Sequence, residues 1–317
     1  MKFLKMHGQG NDFILIDSLE NNVNISAGEI SRMCDRHFGI GADGLILVKR
    51  SQRADFFMDY YNQDGSTAEM CGNGIRCMAG FILINSLWDK QDMIIETRAG
   101  MKKIKINLEA DLKERNKRAI RGFHPDVKIM VDMGRPIFEP AKIPVTIPEQ
   151  VKTDNKFTRA NYGTKDLKYH GLIVMDNILS ISEKDFYINC LSMGNPHCVV
   201  FLDEKDDLKQ IPVSTWGPAI ETHRIFPNKT NVEFVKIKNS SEIEMRVWER
   251  GVGETLACGT GACAAAVCAI ERKKIDSAKV CVHLPGGNLN IYWKQQSSPV
   301  LLEGSVDAVY SGIFLLK

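Results

Sequence analysis

The sequence predicts an α+β fold of two pseudosymmetric domains, each a mixed β-sheet or barrel-like roll around one central α-helix, with a cleft between them. Three observations predict it. A Gly-Asn turn beside an apolar, β-prone run ending in Asp occurs twice, as G-N-D-F-I-L-I-D from Gly10 and G-N-P-H-C-V-V-F-L-D from Gly194. A cysteine-glycine loop also occurs twice, as C-G-N-G-I-R-C from Cys71 and C-G-T-G-A-C from Cys258. The spacing agrees: Asn11 lies 60 residues before Cys71 and Asn195 lies 63 before Cys258, while Asn62 and Glu249 each precede their cysteine by nine. Motifs repeated in one order at one spacing are the mark of a duplicated unit.

Between the motifs, strand-like runs recur at 45–48, 93–96, 104–108, 232–237, 243–248 and 279–284, many alternating in polarity as half-buried strands do. A helix follows each cysteine loop, over about 74–84 and about 261–270. Both are apolar nearly all round, which places them in a core. Each is expected to start at its cysteine. Residues 136–148 carry four prolines and read as loop or edge strand. Residues 110–126 are charged, with Arg115, Lys117, Arg118 and Arg121, and 149–168 are polar. Such charge runs read as solvated surface, with a docking patch as the other reading. The halves are expected at 1–133 plus 305–317 and at 134–304.

Composition narrows the function. Of 317 residues, 44% are hydrophobic, enough for a sizeable core, and the net charge of +2 argues against nucleic-acid or membrane-surface partners held by bulk charge. No stretch reads as a membrane span or a signal peptide, so a cytoplasmic location is expected. The nine cysteines are odd in number and include no C-x-x-C, which argues against a disulfide framework and a zinc site. No metal is expected.

The two cysteine-glycine loops carry the chemistry. Glycine lets the backbone approach a ligand closely, and the first N–H groups of a helix have no intrahelical partner. With the dipole they form an anion site suited to a carboxylate. The same place favours the thiolate of a cysteine. With the halves face to face, one carboxylate is held by Gly72, Asn73, Gly259 and Thr260 N–H groups, with a sulfur on either side of its α-carbon. One thiolate takes the α-proton, the N–H groups stabilise the enediolate, and the opposite thiol returns a proton on the other face. That chemistry needs no cofactor. A single such cysteine is more often structural; two at matched positions are not explained that way. A binding protein that holds an amino acid without turnover remains an alternative.

At these residues the sequence resembles the diaminopimelate epimerase family. The match runs through K-M-H-G-Q-G-N-D-F from Lys5, N-Q-D-G-S-T-A-E-M-C-G-N-G-I-R-C from Asn62, S-M-G-N-P-H-C from Ser192, N-V-E-F from Asn231, E-R-G-V-G-E-T-L-A-C-G-T-G-A-C from Glu249 and L-P-G-G from Leu284. The resemblance implies an active site in the cleft, interconversion of LL- and meso-diaminopimelate, and a homodimer. It implies Cys71 and Cys258 as the acid/base pair, and Asn11, Asn62, Asn195, Asn231, Glu249 and Arg250 as substrate contacts. It also implies His197 and Glu249 as groups that tune the thiols, and Tyr310 at a dimer interface. Taken alone, Asn11 and Asn195 also read as turn residues, Arg250 as a surface ion pair, His197 as a core histidine and Tyr310 as a buried edge tyrosine. One departure is Gly44, where some members have a glutamine that touches substrate. The nearest alternative of the same fold is a proline or hydroxyproline racemase, which has histidine where this chain has Asn73.

Overall fold

The computed structural model describes residues 1–21, 23–107, 127–146, 173–181, 184–295 and 297–315. The charged stretch 110–126 and the polar stretch 149–168 lie outside them. The chain divides into two compact units, Met1–Asp132 with Leu301–Lys317, and Met133–Val300.

In the first unit, β1 (Lys2–Gly8) and β2 (Asn11–Ser18) form an antiparallel hairpin. Its two loop residues, Gln9 and Gly10, both have positive φ, the twist that tight hairpins favour. Helix α1 (Ala27–Cys34) begins with a capping box in which Ser26 and Glu29 satisfy each other's backbone N–H groups. It leads to β3 (Gly44–Lys49), parallel to β2, and then to antiparallel β4 (Phe56–Asn62). Helix α2 (Gly72–Ile84) crosses to β5 (Asp92–Thr97), parallel to β4. β6 (Gly100–Asn107) and β7 (Lys128–Asp132) continue antiparallel.

The second unit opens with the proline-rich stretch, whose described part makes one bridge from Ile137 to Ser192 and a 3₁₀ turn at Pro140–Lys142. β8 (Asn177–Ile181), β9 (Lys184–Ser192) and β10 (Pro196–Phe201) pair antiparallel. Helix α3 (Val213–Glu221) leads to β11 (Asn231–Asn239), parallel to β10, and to antiparallel β12 (Glu242–Glu249). The short β13 (Gly253–Thr255) folds back on the end of β12. Helix α4 (Gly259–Glu271) crosses to β14 (Lys279–Leu284), parallel to β12, with β15 (Gly287–Tyr292) antiparallel beyond it.

The chain then returns to the first unit. β16 (Leu301–Gly304) pairs with β7 and β17 (Asp307–Ile313) with β1. The return begins at Leu301, ahead of the expected residue 305, because β16 extends the first unit's sheet. That sheet therefore runs β17-β1-β2-β3-β4-β5-β6-β7-β16. Its two end strands are consecutive in sequence, joined only through Ser305 and Val306, so the ribbon must curl back on itself. α2 fills the roll, packing on β1, β2, β3 and β7. Ile75, Met78 and Ile82 on α2 are fully buried, each contributing roughly 1.5–3 kcal/mol.

The two units share one topology. In the first, β17-β1-β2-β3-β4-β5-β6 pair in the same senses as β8-β9-β10-β11-β12-β14-β15 in the second. α1 corresponds to α3 and α2 to α4. The fold is α+β with a central helix in each half, as the sequence predicts. Among the apolar side chains of α2, Arg76 is wholly buried as well.

Candidate active site

Each cysteine is the N-cap of its helix. Cys71 has φ −134° and ψ 127°, and Cys258 has φ −123° and ψ 113°, both extended. The helices start at Gly72 and Gly259, two residues ahead of the expected positions. Each sulfur accepts the N–H of the third residue on, Gly74 at 3.5 Å and Gly261 at 3.3 Å. A thiol thus stands where serine or aspartate usually caps, with the N–H groups of the first helical turn beside it.

The β registers show which residues correspond between the halves. Gly44 opposes Asn62 across β3 and β4, while Val232 opposes Trp248 across β11 and β12, which sets Asn231 against Glu249. Asn62 and Glu249 are therefore counterparts, as are Gly44 and Asn231. Asn11 and Asn195 each enter the strand beside the central helix.

In the first unit Asn11 Oδ1 lies 3.5 Å from Cys71 Sγ and accepts Asn73 Nδ2–H at 3.2 Å. Asn11 Nδ2 donates to Asp43 Oδ2 at 2.7 Å. Asp43 and Asp12 are both held by Arg36, and Asp12 also pairs with Lys5 at 2.8 Å. Burial pushes the Asp12 carboxyl up, but hydrogen bonds from Arg36 and Lys5 outweigh it and hold it well below the usual range. Beneath the loop, Arg76 donates to Gly72 O at 3.1 Å, to Asn73 Oδ1 at 2.8 Å and to Gln9 Oε1. Asn62 does not join this network; its amide donates to Ser66 Oγ at 3.0 Å. Gly44 has no room for a side chain, since a Cβ there meets Tyr61 O at 2.6 Å and the Tyr60 ring at 2.7 Å.

In the second unit Cys258 Sγ lies 3.5 Å from Thr260 Oγ1, which accepts Asn195 Nδ2–H at 3.3 Å. The Asn195 amide oxygen lies 3.0 Å from His197 Nε2, and His197 Nδ1 lies 2.7 Å from Glu233 Oε1. Glu249 accepts from Thr255 Oγ1 at 2.5 Å. Asn231 Oδ1 accepts the Arg250 N–H at 3.0 Å, and the Arg250 guanidinium donates to Asn228 O at 3.2 Å.

The electrostatics correct one expectation. The helix start does not leave Cys258 with a low pKa. Burial pushes its thiol well above the ordinary value, Glu249 and Glu233 push the same way, and Thr260 and the Gly261 N–H oppose them only in part. Burial likewise raises Glu249, against the hydrogen bond from Thr255. Tyr310 is not buried: it is 45% exposed, with its ring edge-on to Phe3 and its hydroxyl donating to Ile40 O at 3.0 Å.

Sequence reasoning missed Arg76, Asp43 and Glu233. A signal existed for two of them. Arg76 is a lone charge in an apolar helix, and Glu233 a lone acid in an apolar strand. Among the described residues, no three His, Cys, Asp or Glu side chains are grouped to hold a metal, and no helix is long and apolar enough to cross a membrane.

Two levels of comparison place this arrangement. Solved structures share the fold across nearly the whole chain. A phenazine biosynthesis protein of the PhzF family from Bacillus anthracis superposes with TM-score 0.64 at 16% identity, covering 100% of this chain and 99% of that one. A hydroxyproline epimerase from Agrobacterium vitis gives 0.62 at 12%, covering 98% and 91%. These define the class by its fold, and at such identities they show the fold alone. The family model of diaminopimelate epimerase matches residues 3–118 and 189–309. A relative of that name from Agathobacter rectalis is 42% identical over 312 residues, 98% of each chain. Another, from Halothermothrix orenii, is 43% identical over 321 residues, covering 100% of this chain and 99% of that one. The chain belongs to the diaminopimelate epimerase family.

Proposed function

We propose that the protein interconverts LL- and meso-diaminopimelate by two-base chemistry, without a cofactor, for lysine and peptidoglycan synthesis. The observation that carries this is the duplicated half-site: one thiol caps the same helix in two copies of one topology, in a chain of the epimerase family. The substrate carboxylate takes the N–H groups of Gly72 and Asn73 in one half-site and Gly259 and Thr260 in the other. One sulfur removes the α-proton as thiolate, the electron pair passes into the enediolate, and the second sulfur delivers its own proton to the opposite face. Each cycle leaves the two sulfurs with exchanged protonation, which the reverse reaction or solvent resets. Burial and the charges of Glu249 and Glu233 hold Cys258 as a thiol at rest, and Glu249 takes its proton when it serves as base. His197 and Glu249 tune the thiols, and Asn11, Asn62, Asn195, Asn231, Glu249 and Arg250 read the substrate, the arginine by pairing with the distal carboxylate.

In this reading 1–133 plus 305–317 form one half and 134–304 the other. A cytoplasmic location belongs to the same reading, and the exposed Tyr310 on β17 suits a homodimer contact.

The test is turnover of LL-diaminopimelate in heavy water. Wild type is expected to form the meso isomer with solvent deuterium at the inverted carbon. Cys71→Ala and Cys258→Ala are expected to lose net epimerisation. Undiminished turnover by either variant overturns the two-base assignment, and binding without exchange in wild type favours a non-catalytic amino-acid-binding protein.

A further inference from the structure

The duplication allows each polar group of one half to be compared with its counterpart. His197 and Asn231 are register partners on parallel β10 and β11, and Phe13 and Gly44 are register partners on parallel β2 and β3. His197 therefore stands where the first unit has Phe13. Two residues on from Asn231 and Gly44, Glu233 stands where the first unit has Ile46. The contacts agree. A Cβ on Gly74 of α2 meets Ile46 Cδ1 at 3.2 Å, and a Cβ on the matching Gly261 of α4 meets Glu233 Oε1 at 2.8 Å. Phe13, Ile46, His197 and Glu233 are all completely buried. One topology thus builds its core at this place with an apolar pair in one half and a polar pair in the other. The fold does not need the polar pair, and burying it is costly unless every polar atom is matched. Glu233 Oε2 has no hydrogen-bond partner.

We propose that Glu233 is a positioning residue of the second half-site: its carboxylate takes the Nδ1–H of His197 and so fixes the ring that orients Asn195, Thr260 and Cys258. The chain of contacts is continuous. Glu233 Oε1 lies 2.7 Å from His197 Nδ1, His197 Nε2 lies 3.0 Å from the Asn195 amide, Asn195 Nδ2 lies 3.3 Å from Thr260 Oγ1, and Thr260 Oγ1 lies 3.5 Å from Cys258 Sγ. A carboxylate only accepts, so Nδ1 must carry a proton, and Nε2 is the nitrogen turned to the site. A partner behind a working imidazole fixes its tautomer and tilt, and a small misplacement of a working group can cost on the order of a hundredfold in activity. The proposal rests on Cys258 being an acid/base of the reaction, but its central claim about His197 is testable without turnover.

The experiment pairs kinetics with the ring-nitrogen NMR signature of the protein labelled with 15N-histidine. In wild type, His197 is expected to show a protonated Nδ1. Glu233→Ile is expected to lose that signature and to lower kcat by about tenfold or more with little change in KM. Glu233→Gln keeps a carbonyl acceptor and is expected to lose less. Because Glu233 acts through His197, adding Glu233→Ile to His197→Phe should cost no further activity. That double variant restores the first unit's own pair, so its folding separates positioning from stability. Wild-type kcat in Glu233→Ile overturns the proposal, as does lost activity with an unchanged His197 signature, or a further loss in the His197→Phe background. Should Glu233→Ile fail to fold, the signature of Glu233→Met, which keeps the side chain's length and removes the acceptor, decides: an unperturbed His197 overturns the proposal and a perturbed one supports it. Should wild type turn over no diaminopimelate, the functional reading fails and the nitrogen signatures still decide this one.

Discussion

Glu249 shows how function is set by a single residue's environment. Burial raises its carboxyl, and the hydrogen bond from Thr255 recovers only part of that cost. Its folded pKa exceeds the unfolded value of about 4.3, so the folded state binds protons more tightly in the window between the two. Glu249 therefore disfavours the native state at neutral pH, and that penalty fades as pH falls through the raised folded value toward the unfolded one. Glu249→Gln removes the buried charge and keeps the shape and the acceptor for Thr255. It is expected to unfold at higher temperature than wild type at pH 7, with the difference shrinking toward pH 4. In the proposed mechanism the same substitution deprives Cys258 of the carboxylate that takes its proton, so epimerase activity is expected to fall by about tenfold or more. Calorimetry across pH and a turnover assay check the two halves of the prediction. A variant less stable at pH 7 than at pH 4, relative to wild type, contradicts the assigned environment.

At the level of elements, the same helix start is packed differently in the two halves. Glycine within a helix usually costs roughly 0.5–1 kcal/mol relative to alanine, so Gly→Ala should stabilise wherever a methyl fits. At Gly74 the added methyl meets Met58 Cε at 3.1 Å and Ile46 Cδ1 at 3.2 Å, two side-chain ends that can yield. At Gly261 it meets Glu233 Oε1 at 2.8 Å, and that oxygen is tied to His197. Gly74→Ala is therefore expected to change stability by less than about 1 kcal/mol, and Gly261→Ala to cost about 1–3 kcal/mol as overpacking does, both read by denaturant unfolding. Equal effects at the two sites would mean that Glu233 is free to move. These elements also show what the sequence could reveal. The strands at 45–48, 93–96, 232–237, 243–248 and 279–284, the two central helices and the cysteine at each helix start were legible, because local periodicity and duplicated motifs encode them. The His197–Glu233 and Asn11–Asp43 contacts were not, since each depends on which strands lie side by side. Nor was the raised thiol of Cys258, because a helix start argues for a low pKa and only the burial and the two facing carboxylates reverse it.

For the whole molecule, the number of copies that work together turns on β17. This strand pairs with β1 on one side, and among the described residues no strand pairs with its other edge. Val309, Tyr310 and Ile313 on it, and Leu315 beyond it, are 53%, 45%, 66% and 77% exposed. An open strand edge rich in exposed apolar side chains is a template for pairing with another chain. The ring of Tyr310 is already ordered, by Phe3 and by its bond to Ile40 O, so it brings apolar area to a contact at little further cost in conformational entropy. A second copy meeting this edge would shelter both strands at once, because a twofold contact uses the same patch on each partner. Wild type is accordingly expected to sediment as a dimer at micromolar concentration and Tyr310→Asp as a monomer, since each charge would be buried without a partner. The half-sites lie on α2 and α4, and Tyr310 belongs to neither. A monomeric Tyr310→Asp that keeps the local contacts of Cys71 and Cys258 therefore reports what the dimer itself contributes to turnover. Monomeric wild type, or a Tyr310→Asp dimer as tight as wild type, removes β17 as the contact.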